Sequence, residues 1–313
     1  MKNKLIVTNS PHLHTEESAS RIMWLVVLSL LPAGLAGVFI FGVRAAWIIL
    51  ISVLAAVATE ALIQRLTKRQ LALYDGSAFL TGLLLAYNLP SQVPYWIPVV
   101  GSVFSIAIAK QIFGGLGQNI FNPALAGRAF LMASWPKYMT AFTRPFSYDA
   151  VTSATPLALL KEGKLIEHFS YWDLLLGKRG GCIGEVCILA LVLGALFLLI
   201  RGYISWHIPI TYIFTTGLMM YVFGAKGLFE GDWFFHILSG GLVLGAFFMA
   251  TDYVTSPLTR KGQVIFGFGC GLLTAIIRLW GGYPEGASYA ILMMNAATPI
   301  IDRYTANRIY GTR

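Results

Sequence analysis

Ten apolar runs separated by short polar turns constrain this chain more than any other feature. The runs at 23–41, 45–63, 95–113, 183–200 and 206–223 reach the roughly 18 residues that mark a spanning helix. Those at 77–89, 121–135, 235–250, 264–279 and 288–301 are shorter, and several are interrupted by Gly, Pro or a charge. In hydrocarbon, such a segment satisfies its own backbone N–H and C=O groups as a helix. Hydrophobic residues make up 57% of the chain and charged residues 12%, where soluble domains carry about 25% charged residues. The expected fold is an all-α polytopic membrane protein of about ten transmembrane helices. No cleavable signal peptide is expected: the first 21 residues are polar, and the first run is long enough to act as a stop-transfer helix.

A net charge of +9 would suit a nucleic-acid partner, but its distribution argues against one and points to topology. Lys2, Lys4 and Arg21 precede the first run, and Arg65, Lys68 and Arg69 follow the second. Arg260 and Lys261 follow the eighth, and Arg303, Arg308 and Arg313 the tenth. Ten crossings put all of these on one side, which the positive-inside rule makes cytoplasmic. The facing short loops hold Arg44, Lys226 and Arg278. The 136–182 segment carries six basic residues, but loops of that length translocate largely regardless of charge. The expected organisation is a cytoplasmic tail at 1–21, a first membrane repeat at 22–135, an outer loop at 136–182, a second repeat at 183–302 and a cytoplasmic tail at 303–313. The outer loop is too short for its own core, and a short amphipathic helix is expected at 166–175.

The two membrane halves resemble each other. Residues 82–88, with Pro94 beyond, align without a gap on residues 245–251, with Pro257 beyond; Lys110, Gly114 and Gly115 align on Arg278, Gly281 and Gly282. An odd number of helices per half makes the halves inverted, giving two inverted five-helix repeats with short or broken helices, the arrangement of transporter-like folds.

Asp149, Thr152, Ser153, Ala154 and Thr155 form a compact acceptor pattern in the outer loop. A threonine hydroxyl forms a phosphoester only when it is exposed and its neighbours are small, and Pro156 keeps Thr155 out of the α conformation. A helix cap is the plainer reading of the same residues. The pattern resembles the flavinylation motif of the membrane flavoproteins in the Rnf and Na⁺-NQR respiratory complexes, with Ser153 where that family usually has Gly. The stretches from Asp75 to Leu85 and from Phe121 to Arg128 look like signatures of the same RnfD/NqrB family, and the short N-terminal tail resembles its RnfD branch. The resemblance covers essentially the whole chain. It implies FMN joined covalently to Thr155, attached by a separate flavin transferase after translocation, and allows a non-covalent riboflavin between the repeats. It also implies a prokaryotic inner-membrane location and partners in a ferredoxin:NAD⁺ oxidoreductase complex, including a second threonyl-FMN subunit. Coupling to Na⁺ or H⁺ translocation is implied, with no complete activity in the chain alone. The alternative is a flavin-free secondary transporter or small-solute channel, which has no use for residues 149–155.

Arg128 falls about 10 Å into its helix at 1.5 Å per residue, where an ionisable group usually faces a partner, cavity or ligand. A flavin contact is one reading; snorkelling to the surface or pairing with Asp75 or Glu60 is the other. Asn122 opens the same helix and is a second candidate flavin contact. Lys110 and Arg278 are expected to snorkel at the interface. Glu60, Glu185, Asp252 and Asp302 lie near helix ends, and none is singled out as an ion site. Cys182, Cys187 and Cys270 read as buried small residues. His12 and His14 lack companions at ligand spacing, so no metal site and no catalytic residue is assigned. Trp24, Trp96, Trp135 and Tyr283 suit interfacial anchoring.

Overall fold

The apolar runs become helices, and the turns between them supply the caps that end those helices. In a computed structural model, which describes residues 17–69, 72–146, 154–163, 170–225 and 227–306, the Ser18 hydroxyl accepts from Arg21 N–H and opens α1 (Ala19–Phe41). Gly42, at φ 79°, turns the chain directly into α2 (Val43–Leu66). Then come α3 (Ser77–Tyr87), α4 (Trp96–Ile106) with a π-helical extension at Ala107–Gln111, and α5 (Pro123–Ser134). Asn122 caps α5 through Oδ1, which accepts from Ala124 and Leu125 N–H, while Pro123 fills the first helical position.

The long connection holds three short helices: α6 (Pro136–Met139), α7 (Pro156–Lys161) and α8 (Tyr171–Leu176). α8 overlaps the C-terminal half of the amphipathic helix expected at 166–175, buries Leu174 and exposes Trp172. The second half is built from α9 (Ile188–Ile200), α10 (His207–Phe223), α11 (Trp233–Leu238), α12 (Leu242–Leu244) with a π-helical turn at Gly245–Met249, α13 (Arg260–Trp280) and α14 (Ala287–Thr305). The described residues form no strand; one isolated antiparallel bridge joins Pro90 to Cys182.

Packing repeats between the halves. α2 lies against α3 and α4 as α10 lies against α11 and α13, and α4 meets α5 as α13 meets α14. The halves join through α1 on α9 and α5 on α14. Close approach uses missing side chains, as is general in membrane bundles. A Cβ on Gly271 would lie 2.8 Å from Tyr212 O, and one on Gly194 would meet Ser29 O. The outward faces stay apolar: Phe39 is 79% exposed, and Leu35, Leu54 and Phe214 are also exposed. A water-facing surface does not look like this, whereas a lipid-facing one does. The protein is a multi-pass membrane protein.

Three helices, α1, α2 and α13, are long and apolar enough to cross a membrane alone. α3 and α5, at 11 and 12 residues, reach only about 16–18 Å at 1.5 Å per residue, roughly half of a 30 Å hydrocarbon core. The eighth run is broken at Ser239, Gly240 and Gly241, with Gly240 at φ 70°. Irregular backbone at this depth is tolerated only where protein or a cavity surrounds it, so these short and broken segments mark where polar chemistry is placed.

Candidate functional site

Thr155 is the N-cap of α7. Its hydroxyl accepts from Ala158 N–H at 3.2 Å, and the residue is only 3% exposed. The exposure expected of an acceptor threonine is therefore absent in this conformation, while Ala154 beside it is exposed. Asp149, Thr152 and Ser153 lie outside the described residues. α7 is fixed at both ends. Leu157 packs beside Gly240, where an added Cβ would meet its Cδ1 at 3.0 Å. Lys161 Nζ donates to the carbonyls of Gly281 and Tyr283.

Below α7 lies a buried charge network. Arg128 Nη2 donates to Glu285 Oε2 at 2.6 Å, and Nη1 to Asn88 Oδ1 at 2.5 Å. The ion pair is nearly sealed, with side-chain exposures of 7% and 12%. Arg128 neither snorkels nor meets Asp75 or Glu60: Asp75 is occupied by Ser77 N–H and Oγ, and Glu60 by Lys110. Arg278 is buried, donating to the carbonyls of His236, Ser239 and Glu285. Arg179 donates to Glu185 O, and Glu185 Oε1 accepts from Cys182 N–H. The expectation of snorkelling fails for Arg278 because the break after α11 exposes carbonyls that a guanidinium satisfies without leaving the protein.

Lys110 differs from expectation for a related reason. Its Nζ donates to both Glu60 oxygens, at 2.9 and 2.8 Å, and to Ser77 Oγ at 2.6 Å. Gln111 and Gln64 donate to Glu60 Oε1 as well. The π-helical extension of α4 carries Lys110 and Gln111 together into this cluster, a distortion that recurs at functional sites.

Two cavities flank this arrangement. The larger lies between the halves and is lined by Lys110, Asn119, Asn122, Phe248, Asp252 and Tyr253 among others. The smaller is lined by Arg128, Phe142, Tyr283, Glu285 and Tyr289. Tyr283 and Tyr289 stack at 5.3 Å. Asn122 and Arg128, six residues apart on one helix, therefore serve different cavities. A polar chain joins them: Asn122 Nδ2 donates to Met249 O, Asn88 Nδ2 to Met249 Sδ, and Arg128 to Asn88. Cys182 and Cys270 are buried and Cys187 is half-buried.

A profile of the NQR2, RnfD, RnfE family matches residues 6–311. The chain belongs to this family. It is 53% identical, over 98% of its length and 95% of the relative's, to the D component of the Na⁺-translocating ferredoxin:NAD⁺ oxidoreductase complex of Acetobacterium woodii. It is 50% identical, over 100% and 98%, to the D component of the proton-translocating ferredoxin:NAD⁺ oxidoreductase complex of Clostridium ljungdahlii. A relative from Stutzerimonas stutzeri, the D component of an ion-translocating oxidoreductase complex, is 39% identical over 94% and 92%.

Sequence reasoning missed Glu285, Glu185 and Arg179 as members of the network. The available signal was placement: Glu285 stands between Pro284 and Gly286 in the turn before α14, and Arg179 precedes Gly180 and Gly181. A charge beside glycines at a helix junction is well placed to turn inward.

Proposed function

We propose that the chain is a membrane subunit of an ion-translocating ferredoxin:NAD⁺ oxidoreductase complex and carries FMN on Thr155 through a phosphoester bond. The observation that carries this reading is near-full-length identity of 53% and 50% to two components of complexes so named, and residues 149–155 add the acceptor pattern. The chain is redox-active only as part of the assembly, with other complex subunits, a second threonyl-FMN subunit and a maturing flavin transferase as partners. Both termini are cytoplasmic and Thr155 is on the outer side of the inner membrane, by the asymmetry of Lys and Arg between the short loops.

The residues around Thr155 accommodate this group after a local change. Freeing the hydroxyl from Ala158 N–H gives up one cap bond, worth about 1 kcal/mol. Ala154 is small and exposed, leaving room for a modifying enzyme. FMN, when bound, supplies the one- and two-electron chemistry. The chain's own residues position and screen it. Lys161 ties α7 to the Gly281–Tyr283 turn beside the smaller cavity. There the Tyr283–Tyr289 stack offers an aromatic wall and Arg128 a fixed positive charge. The larger cavity, between the repeats and lined by Asn119, Asn122, Phe248 and Tyr253, is where a non-covalent riboflavin would sit. The coupling ion is Na⁺ or H⁺; the two relatives at 53% and 50% identity are named for different ions.

The test is ultraviolet in-gel fluorescence of the denatured protein co-expressed with a flavin transferase. Wild type should fluoresce at its own 34.3 kDa mass and Thr155→Ala should be dark. Darkness in both, with the transferase active on a known acceptor, would overturn the covalent flavin and favour a flavin-free transporter.

A further inference from the structure

The two halves treat their buried acids differently. In the first, Glu60 is fully engaged by Lys110, Gln64 and Gln111. In the second, satisfaction is incomplete around the Ser239–Gly241 break. Eight buried side-chain polar atoms of the described residues have no hydrogen-bond partner within the protein. Five of them fall here: Glu185 Oε2, Glu285 Oε1, Ser239 Oγ, His236 Nδ1 and Arg179 Nε. Glu185 is 1% exposed, and Ser239 and Arg179 are buried as completely. Native interiors leave few such groups, and where they concentrate, ordered water or a small polar species satisfies them.

Geometry gives the cluster a direction. Glu185 Oε2 points at the glycine break, where a Cβ on Gly241 would stand 2.8 Å from it and 3.9 Å from Arg128 Nη1. A Cβ on neighbouring Gly240 would meet Arg278 Nη2 at 3.3 Å and Glu285 Cγ at 3.5 Å. The two glycines thus let the backbone of the break approach both acids closely, where any side chain would clash. Glu285 also lines the smaller cavity and keeps some exposure, whereas Glu185 is sealed behind it. Arg128 touches both branches, through Glu285 Oε2 and, at 3.9 Å, Cys182 Sγ.

We propose that this break is a hydrated proton-exchange chamber, in which Glu185 is the buried proton-binding group and Glu285 its connection to the smaller cavity. A proton from hydronium in the cavity passes by way of Glu285 and chamber water to Glu185 Oε2. There an O–H bond forms and water is left behind. No electron moves, and the chamber gains one positive charge. The groups facing Glu185 are Arg128 from α5, Arg179 and Cys182 from its own segment, Glu285 from the turn before α14 and Arg278 from α13. Three guanidinium groups against two carboxyl groups make the chamber a poor home for a metal cation, which takes six or more oxygen ligands in the case of Ca²⁺. A proton needs one carboxylate oxygen and a water.

The test is infrared pH-difference spectroscopy of the full-length chain in lipid nanodiscs, in H₂O and D₂O. Wild type should show a protonated-carboxyl band that shifts in D₂O. Glu185→Gln should remove it, and Glu285→Gln should keep it while slowing its deuterium exchange several-fold. Should Glu185→Gln fail to fold, Glu185→Asp keeps the acid and should move the band; an unmoved band overturns the assignment. A band unchanged in Glu185→Gln, exchange unaffected by Glu285→Gln, or a band abolished by Na⁺ at constant pH would each overturn the proposal. The experiment is indifferent to whether Thr155 carries flavin, so its failure is separable from failure of that reading.

Discussion

Arg128 and Lys110 are both buried inside an apolar bundle, and each is held by a carboxylate from a distant part of the chain, Glu285 and Glu60. Removing one partner from such a pair leaves an uncompensated charge in low dielectric, which costs about 3–5 kcal/mol, whereas replacing both by apolar groups of similar volume is often neutral. Arg128→Met and Lys110→Met should therefore each lower the thermal midpoint in detergent sharply. The double variant Lys110→Met/Glu60→Leu should recover most of the loss. If the double variant is no more stable than the single, the pair is not what holds Lys110 inside. Thr155 belongs to the same scale. Its cap geometry could be read from the Thr155-Pro156 pair, but the contact that Lys161 of the same helix makes with Gly281, 120 residues away, could not, since no local pattern encodes it.

At the scale of elements, α10 and α13 pack by close approach rather than by interlocking large side chains. A Cβ on Gly271 would sit 2.6 Å from Thr215 Cβ as well as against Tyr212 O. Backbone cannot yield there, so Gly271→Ala should destabilise by about 1–3 kcal/mol, the usual cost of overpacking. Gly282→Ala, with nothing within 4 Å of the added carbon, should stay within about 0.5 kcal/mol. Comparing the two thermal midpoints separates packing from a general intolerance of glycine loss. The helices themselves are legible in the sequence, because hydrocarbon allows a long apolar run few other structures. The cap of α5 is legible too, since Asn122 followed by Pro123 is a local signal. The partners of Arg128, Arg278 and Lys110 are not. Charge pairing across 50 to 157 residues is decided by how the halves pack, and snorkelling is the locally cheaper arrangement. The break at Gly240 and Gly241 lies between these cases: the sequence points to a broken helix there, but not to Glu185 and Glu285 closing on it.

For the whole molecule, two halves that repeat one packing scheme still differ in what they bury: a fully bonded acid in one and an under-bonded pair in the other. Such asymmetry has functional meaning only if the smaller cavity and Thr155 share one face of the membrane while the α12–α13 turn, with Arg260 and Lys261, faces the opposite side. Contacts already unite the first group, since Lys161 of α7 reaches Gly281 and Tyr283, and Tyr283 lines the smaller cavity. Side assignment follows from single-cysteine labelling. Of the native cysteines Cys182 and Cys270 are buried and Cys187 is half-buried, so the wild-type background should be low. Ala154→Cys is exposed beside Thr155 and should react with a membrane-impermeant maleimide in intact cells. Lys261→Cys, at the start of α13, should react only after permeabilisation. The opposite pattern would place Thr155 in the cytoplasm, out of reach of maturation after translocation. Labelling of both sites in intact cells would mean that the crossing number between them is even, and the inverted-repeat architecture would fall with it.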